Sequence, residues 1–181
     1  MILLFAVSMA LVLAACGGSS KPSSNPTTSS TGHIAKEASN VPSVSAKMIC
    51  ETEAATEIYQ SATGVKTVAA FKPTWVDHVY SCKYVYPGGA FMTLSVKEVS
   101  NADETTAYFD SLATKLGKTR DLTIGQGAFQ VKNGSVVVRK DFKVLLVDVS
   151  KLPASFGVPA ASRADVAINV AATIMGCWTG A

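Results

Sequence analysis

Histidine is almost missing from this chain: His33 and His78 are the two it has in 181 residues. Zinc sites need clustered His, Cys or carboxylate ligands at short spacing, and neither C-x-x-C nor H-E-x-x-H occurs, so no metal and no other cofactor is expected. The usual hydrolase signatures G-x-S-x-G and S-x-x-K are missing too, which removes the common ways of activating a serine. Gly125-Gln126-Gly127 begins like a dinucleotide loop but lacks the third glycine and a following helix. Charge is scarce and balanced, with 16% charged residues and 16 Lys and Arg against 13 Asp and Glu. A formal charge of +3 is too small to make an electrostatic nucleic-acid binder.

No apolar run is long enough to cross a bilayer. The longest, Ile2 to Ala15, is apolar except for Ser8, and a span needs about 20 helical residues. It reads instead as the apolar region of a secretion signal, residues 1–15. Signal peptides ordinarily open with positive charge, yet no Lys or Arg precedes this run. The expectation is therefore that a few basic residues belong ahead of Met1.

Leu13-Ala14-Ala15-Cys16 then has the form of a bacterial lipobox, in which Cys16 is lipid-modified and becomes the mature N-terminus. Acyl chains contribute about 0.8 kcal/mol per buried methylene, and stable anchoring takes two or more chains. From Gly17 to Gly32 every residue except Lys21 is Gly, Ser, Pro, Asn or Thr, a composition with little apolar surface to offset ordering entropy. Residues 16–45 are expected to be lipidated Cys16 and a flexible tether spanning roughly 30 Å. His33, within it, is read as incidental.

Residues 46–181 are enough for one domain with one core. Glu53 to Ala62 carries Ala54, Ala55, Ile58, Tyr59 and Ala62 at helical spacing, with Thr52 as cap and Gly64 beyond the end. Trp75 to Tyr86 alternates as a single strand, with Val76, His78, Tyr80, Cys82, Tyr84 and Tyr86 on one face. Pro87-Gly88-Gly89 turns the chain into a second strand, Ala90 to Val99. A helix follows from Asn101 with Glu104 to Leu116, stopped by Gly117. Arg120 to Ile124, Ala128 to Lys132, Ser135 to Lys140 and Phe142 to Val149 form a meander with a tight Asn133-Gly134 turn. After a loop over Pro153 to Pro159, Ser162 and Asp165 make a capping box ahead of an almost wholly apolar helix. The fold class expected is α+β: an antiparallel sheet of about five to six strands with three helices packed mainly on one face. Both halves run strands then helix, which suggests a weak internal duplication.

With Cys16 modified, Cys50, Cys82 and Cys177 remain, an odd number for an oxidising compartment. A bridge from Cys50 to Cys82 is favoured because it would pin the first helix to the strand it packs on. Pairing of Cys177 with either partner stays open. The lipobox, the tether, Cys50 before a helix ending Ala62-Thr63-Gly64, Ser81-Cys82-Lys83-Tyr84 in a strand and the Val136 to Val149 meander together resemble small actinobacterial lipoproteins carrying a secreted domain of unknown function. The resemblance covers nearly the whole chain. It implies attachment to the outer face of the cell membrane and no particular chemistry.

The carboxylates Asp77, Asp103, Glu104, Asp110, Asp121, Asp141, Asp148 and Asp165 are spread over different elements, with no pair marked out for acid and base work. The candidate binding surface is the row His78, Tyr80, Tyr84 and Tyr86, since phenol rings make good contact surfaces. The competing reading buries the same row as core. The function expected is a lipid-anchored, non-catalytic binding module facing an envelope protein or wall component. The alternatives are a carrier of an apolar ligand between sheet and helices and an envelope hydrolase.

Overall fold

A computed structural model describes residues 39–69 and 71–178. The segment expected to be a signal peptide, Cys16 and most of the expected tether lie outside the described residues. Ordered structure starts ahead of Ala46. Ser43 caps a short helix, α1 (Val44–Lys47), by accepting from the amide of Ala46 at 3.2 Å, and a 3₁₀ turn continues it to Cys50. The Ser43 amide donates to the Glu98 carboxylate at 3.2 Å and its hydroxyl donates to the same group. The tether boundary expected at Ser45 therefore moves back. Ser45, Ala46, Ile49 and Cys50 are buried, but a segment this short shows no helical period in sequence.

The second helix, α2 (Thr52–Ile58), runs into a π turn over Tyr59–Thr63. Gly64 ends it at φ +59°, donating to the Tyr59 carbonyl at 2.8 Å. Beyond a connecting segment come β1 (Thr74–Val76), β2 (Val79–Val85) and β3 (Phe91–Glu98). The single strand expected over Trp75 to Tyr86 is thus two strands. Asp77 and His78 both adopt left-handed backbone, φ +49° and +57°, and make a two-residue hairpin turn. Trp75, not His78, pairs with Tyr80 across the hairpin.

The long helix α3 (Ala102–Leu116) begins and ends where its sequence signals lie. Asn101 accepts from the Glu104 amide at 2.9 Å, and Glu104 accepts from the Ser100 amide at 3.0 Å, a reciprocal cap. Gly117, at φ +72°, closes it. The meander follows as β4 (Lys118–Leu122), β5 (Gly127–Val131), β6 (Val136–Lys140) and β7 (Lys143–Asp148). Then a two-stranded ribbon, β8 (Ser155–Phe156) with β9 (Ala161–Ser162), occupies what reads in sequence as loop. The last helix, α4 (Arg163–Cys177), has the expected box: Ser162 accepts from the Asp165 amide at 3.1 Å and donates to its carboxylate at 2.6 Å.

The main sheet has seven strands in the order β1-β2-β3-β7-β6-β5-β4, all antiparallel. The fold is α+β as expected, with one more strand in this sheet than the upper expectation and four α-helices among the described residues rather than three. Three of the four α-helices, α1, α2 and α4, share one face, and α3 takes the other. Met92, Leu94, Val96, Val136, Val138, Leu145 and Val147 pack with α1, α2 and α4, whereas Phe129, Val131, Val137 and Val144 pack with α3. Alternate residues of β6 and β7 are thus buried on both sides, as their continuous Val and Leu runs require. The two halves each run meander then helix, but their helices take opposite faces, so a simple twofold repeat does not describe them. On the α3 side, Ser81, Lys83, Thr93 and Ser95 leave the β2-β3 half of the sheet partly solvated.

Gly64 fixes how α2 and its π turn meet the β8-β9 ribbon. A Cβ there would lie 1.9 Å from the Val158 carbonyl oxygen, whereas one at Gly117 would meet nothing within 4 Å. Both positions carry the left-handed cost of about 1–2 kcal/mol for a side chain. Gly117→Ala should lose only that, while Gly64→Ala should lose clearly more, read as the difference in urea midpoint between the variants. Equal midpoints would contradict the close approach.

Candidate binding cleft

The candidate surface expected from sequence is the row His78, Tyr80, Tyr84 and Tyr86, and its alternation toward the α2 and α4 side holds from Tyr80 to Tyr86. Their exposure does not. Tyr84 and Tyr86 are 0% and 1% exposed, so they are core and the four-residue row is not a binding surface. The reason lies in the segments that follow and precede the strand in sequence: Phe71 packs on the Tyr84 ring at 4.4 Å and Phe156 on the Tyr86 ring at 4.8 Å. His78 leaves the row altogether, sitting in the hairpin turn edge-on to Trp75 at 5.7 Å. Tyr80 is half-buried and remains at the margin; burial raises its pKa, with a smaller push from the Glu51 carboxylate.

Cys50 and Cys82 form a disulfide, with their Cα atoms 5.8 Å apart. Cys177 is outside this bridge. The same junction is tied by the Tyr84 hydroxyl, which donates to the Ile49 carbonyl at 2.6 Å. Tyr86 differs from Tyr84 in this respect. Its hydroxyl is buried beside Thr63 and has no hydrogen-bond partner of normal geometry among the described residues. Burial pushes both phenols well above their ordinary range.

Above this junction lies an open cleft of about 770 Å³ between α2 with its π turn and the segment that leads to β1. That size falls in the range of about 300–1,000 Å³ typical of small-ligand sites. Thr52, Ala55, Thr56, Tyr59 and Gln60 line the helical wall; Lys66, Thr67, Ala69, Phe71 and Pro73 line the other, with Cys50 at the base. The Lys66 ammonium stands 5.2 Å from the centre of the Tyr59 ring, within cation–π reach. Hydroxyls, one amide and one ammonium therefore surround two aromatic rings. Its lining carries neither carboxylate nor imidazole to move a proton. Among the described residues, no three His, Cys, Asp or Glu side chains come together to hold a metal ion.

The Cys50–Cys82 disulfide, of which Cys50 lines this cleft, is the pairing that the sequence favours, whereas the cleft itself is not legible there. Half of its wall comes from a segment without period, Val65 to Pro73, in which Phe71 and two lysines, Lys66 and Lys72, are the only large or charged side chains. The space between the sheet and α4 is filled by Val166, Ala167, Val170, Ala171 and Ile174, each no more than 1% exposed. An apolar ligand there would have to displace those side chains. No family model, no curated protein and no solved structure matches this chain.

The two buried tyrosines should respond oppositely to loss of the hydroxyl. Tyr84→Phe should destabilise by about 1–2 kcal/mol, and Tyr86→Phe should be neutral or stabilising, because an unpaired buried hydroxyl is itself unfavourable. Folded-state pKa values raised above the ordinary value of about 10 mean that stability is full below that pH and falls as pH rises through the window above it. Urea midpoints at pH 8 and above pH 10 check both points. Tyr84→Phe should flatten the alkaline loss; an unchanged slope would contradict the burial of that phenol.

Proposed function

We propose that this chain is a lipid-anchored lipoprotein at the outer face of the cell membrane, with a domain that binds a polar envelope component and performs no chemistry on it. What supports the anchor is the sequence alone: the apolar run, the Leu13-Ala14-Ala15-Cys16 box and the tether composition. None of the helices among the described residues is long and apolar enough to cross a membrane.

The cleft beside α2 carries the binding part of this reading. Its rim offers hydrogen bonds from Thr52, Thr56, Gln60 and Thr67, one cation from Lys66, and flat apolar contact from Tyr59 and Phe71. That set suits a sugar ring bearing a peptide carboxylate, the chemistry of wall fragments: hydroxyls meet hydroxyls, a ring face meets an aromatic, and the carboxylate meets an ammonium. An open cleft also suits a polymer better than a small molecule needing full enclosure.

Soluble wall fragments titrated calorimetrically into the detergent-solubilised chain should bind, and Tyr59→Ala should weaken binding at least fivefold, about 1 kcal/mol, as loss of an aromatic contact does. Unaltered affinity in Tyr59→Ala would place the site elsewhere. Absence of binding by the unaltered chain would remove this ligand class.

A further inference from the structure

Six large apolar side chains stand exposed among the described residues, and four of them share one end of the sheet: Val41, Val44, Val76 and Phe142, at 62%, 84%, 63% and 40% exposure. Hydrogen bonds bring their segments together. The Trp75 indole donates to the Asn40 carbonyl at 2.9 Å, Ser43 is held by Glu98, the Glu98 amide donates to the His78 carbonyl at 2.9 Å, and the Val99 amide donates to the Phe142 carbonyl at 3.0 Å. The other two, Val68 and Val158, lie at the opposite end, where their amides donate to Val85 and Thr63.

This end is also where the chain outside the described residues joins the domain. Twenty-two residues separate Cys16 from Ser39, and a coil of that length, as their composition predicts, reaches about 25 Å. We propose that this end of the domain docks on the bilayer to which Cys16 is anchored, with Val41, Val44, Val76 and Phe142 entering the headgroup boundary. The proposal rests on the lipid-anchor reading above. A short tether holds the docking end at an effective concentration in the millimolar range, so contact too weak to bind a free protein is enough. The strand ends and turns at this end carry Lys97, Lys140 and Lys143 against Asp77, Glu98 and Asp141, so attraction to anionic headgroups does not drive the contact. Docking by this end leaves the far end of the sheet, with Val68, Tyr86 and the β8-β9 ribbon, directed away from the membrane.

The test uses the full lipidated chain in phosphatidylcholine vesicles with and without brominated acyl chains, read by tryptophan emission and by vesicle flotation. Trp75 sits among the docking residues, so brominated lipid should lower the emission by a third or more, and Trp75→Phe should remove most of that loss. Val44→Asp with Val76→Thr, both at exposed positions, should abolish quenching while thermal midpoint and flotation stay unchanged. High salt should leave quenching in place; its loss in salt would assign the contact to the lysines and overturn apolar docking. Flotation without quenching would overturn docking and leave the anchor standing. Cys16→Ala reports the anchor separately: loss of flotation in that variant supports the anchor, and quenching that persists at high vesicle concentration supports docking independently. Failure of the unaltered chain both to float and to be quenched would overturn the two together.

Discussion

Where Ile49 and Cys50 meet strand β2, one face of the domain is fixed to the sheet. Three different interactions converge there: the Cys50–Cys82 disulfide, the Tyr84 hydroxyl bond to the Ile49 carbonyl, and burial of Ala46, Ile49 and Ile58 against the sheet. Their magnitudes differ. Closing the Cys50–Cys82 loop contributes about 3–4 kcal/mol in the chain-entropy view, the hydrogen bond about 1 kcal/mol, and each large aliphatic side chain about 1.5–3 kcal/mol. The covalent link is the largest single contribution, and it acts on a helical segment too short to persist alone. With α2 held in place, the segment that leads to β1 can fold back over it, seat Phe71 on Tyr84 and leave the cleft between the two walls.

That arrangement separates stability from recognition. Tyr84 and Tyr86 give their rings to the core, while Tyr59, on the π turn, keeps its ring in the cleft. The π turn matters here because its wider winding ends the helix at Gly64, against the Val158 carbonyl. On the other side of the sheet α3 covers only the β5-β6-β7 half. The opposite half keeps Ser81, Lys83, Thr93 and Ser95 toward solvent, so the antiparallel sheet is covered over its central strands on one side and only partly on the other, with β1 and β4 exposed at its edges.

Elements with strong local signals were legible from the residues. Helix α3 lay between Asn101 with Glu104 and Gly117, and helix α4 behind its Ser162–Asp165 box. A turn does fall at Asn133-Gly134, but as a three-residue loop with Lys132 rather than the tight two-residue hairpin its dipeptide suggests, since Gln130 pairs with Val136 and the Val131 amide donates to the Ser135 carbonyl. The Cys50–Cys82 disulfide was the favoured pairing for a different reason, that it pins the first predicted helix to the strand it packs on. What escaped has physical reasons. The Asp77-His78 turn is invisible to alternation, because the pattern of apolar residues continues through a two-residue turn while the face it marks changes parity. The α1 segment is held by Glu98, fifty-five residues away, which no local pattern can report. Strand order, and with it the split of helices between two faces, depends on β3 pairing with β7. The cleft is built half from a loop, so its residues share proximity and not period.

The most direct measurement is amide hydrogen exchange on the purified chain before and after reduction of the Cys50–Cys82 bridge. If that junction holds the face together, exchange should quicken over residues 43–64 and along β2, while α3 and the β5-β6-β7 half keep their protection. Unchanged exchange over 43–64, or an equal rise throughout the domain, would contradict the role given to that junction.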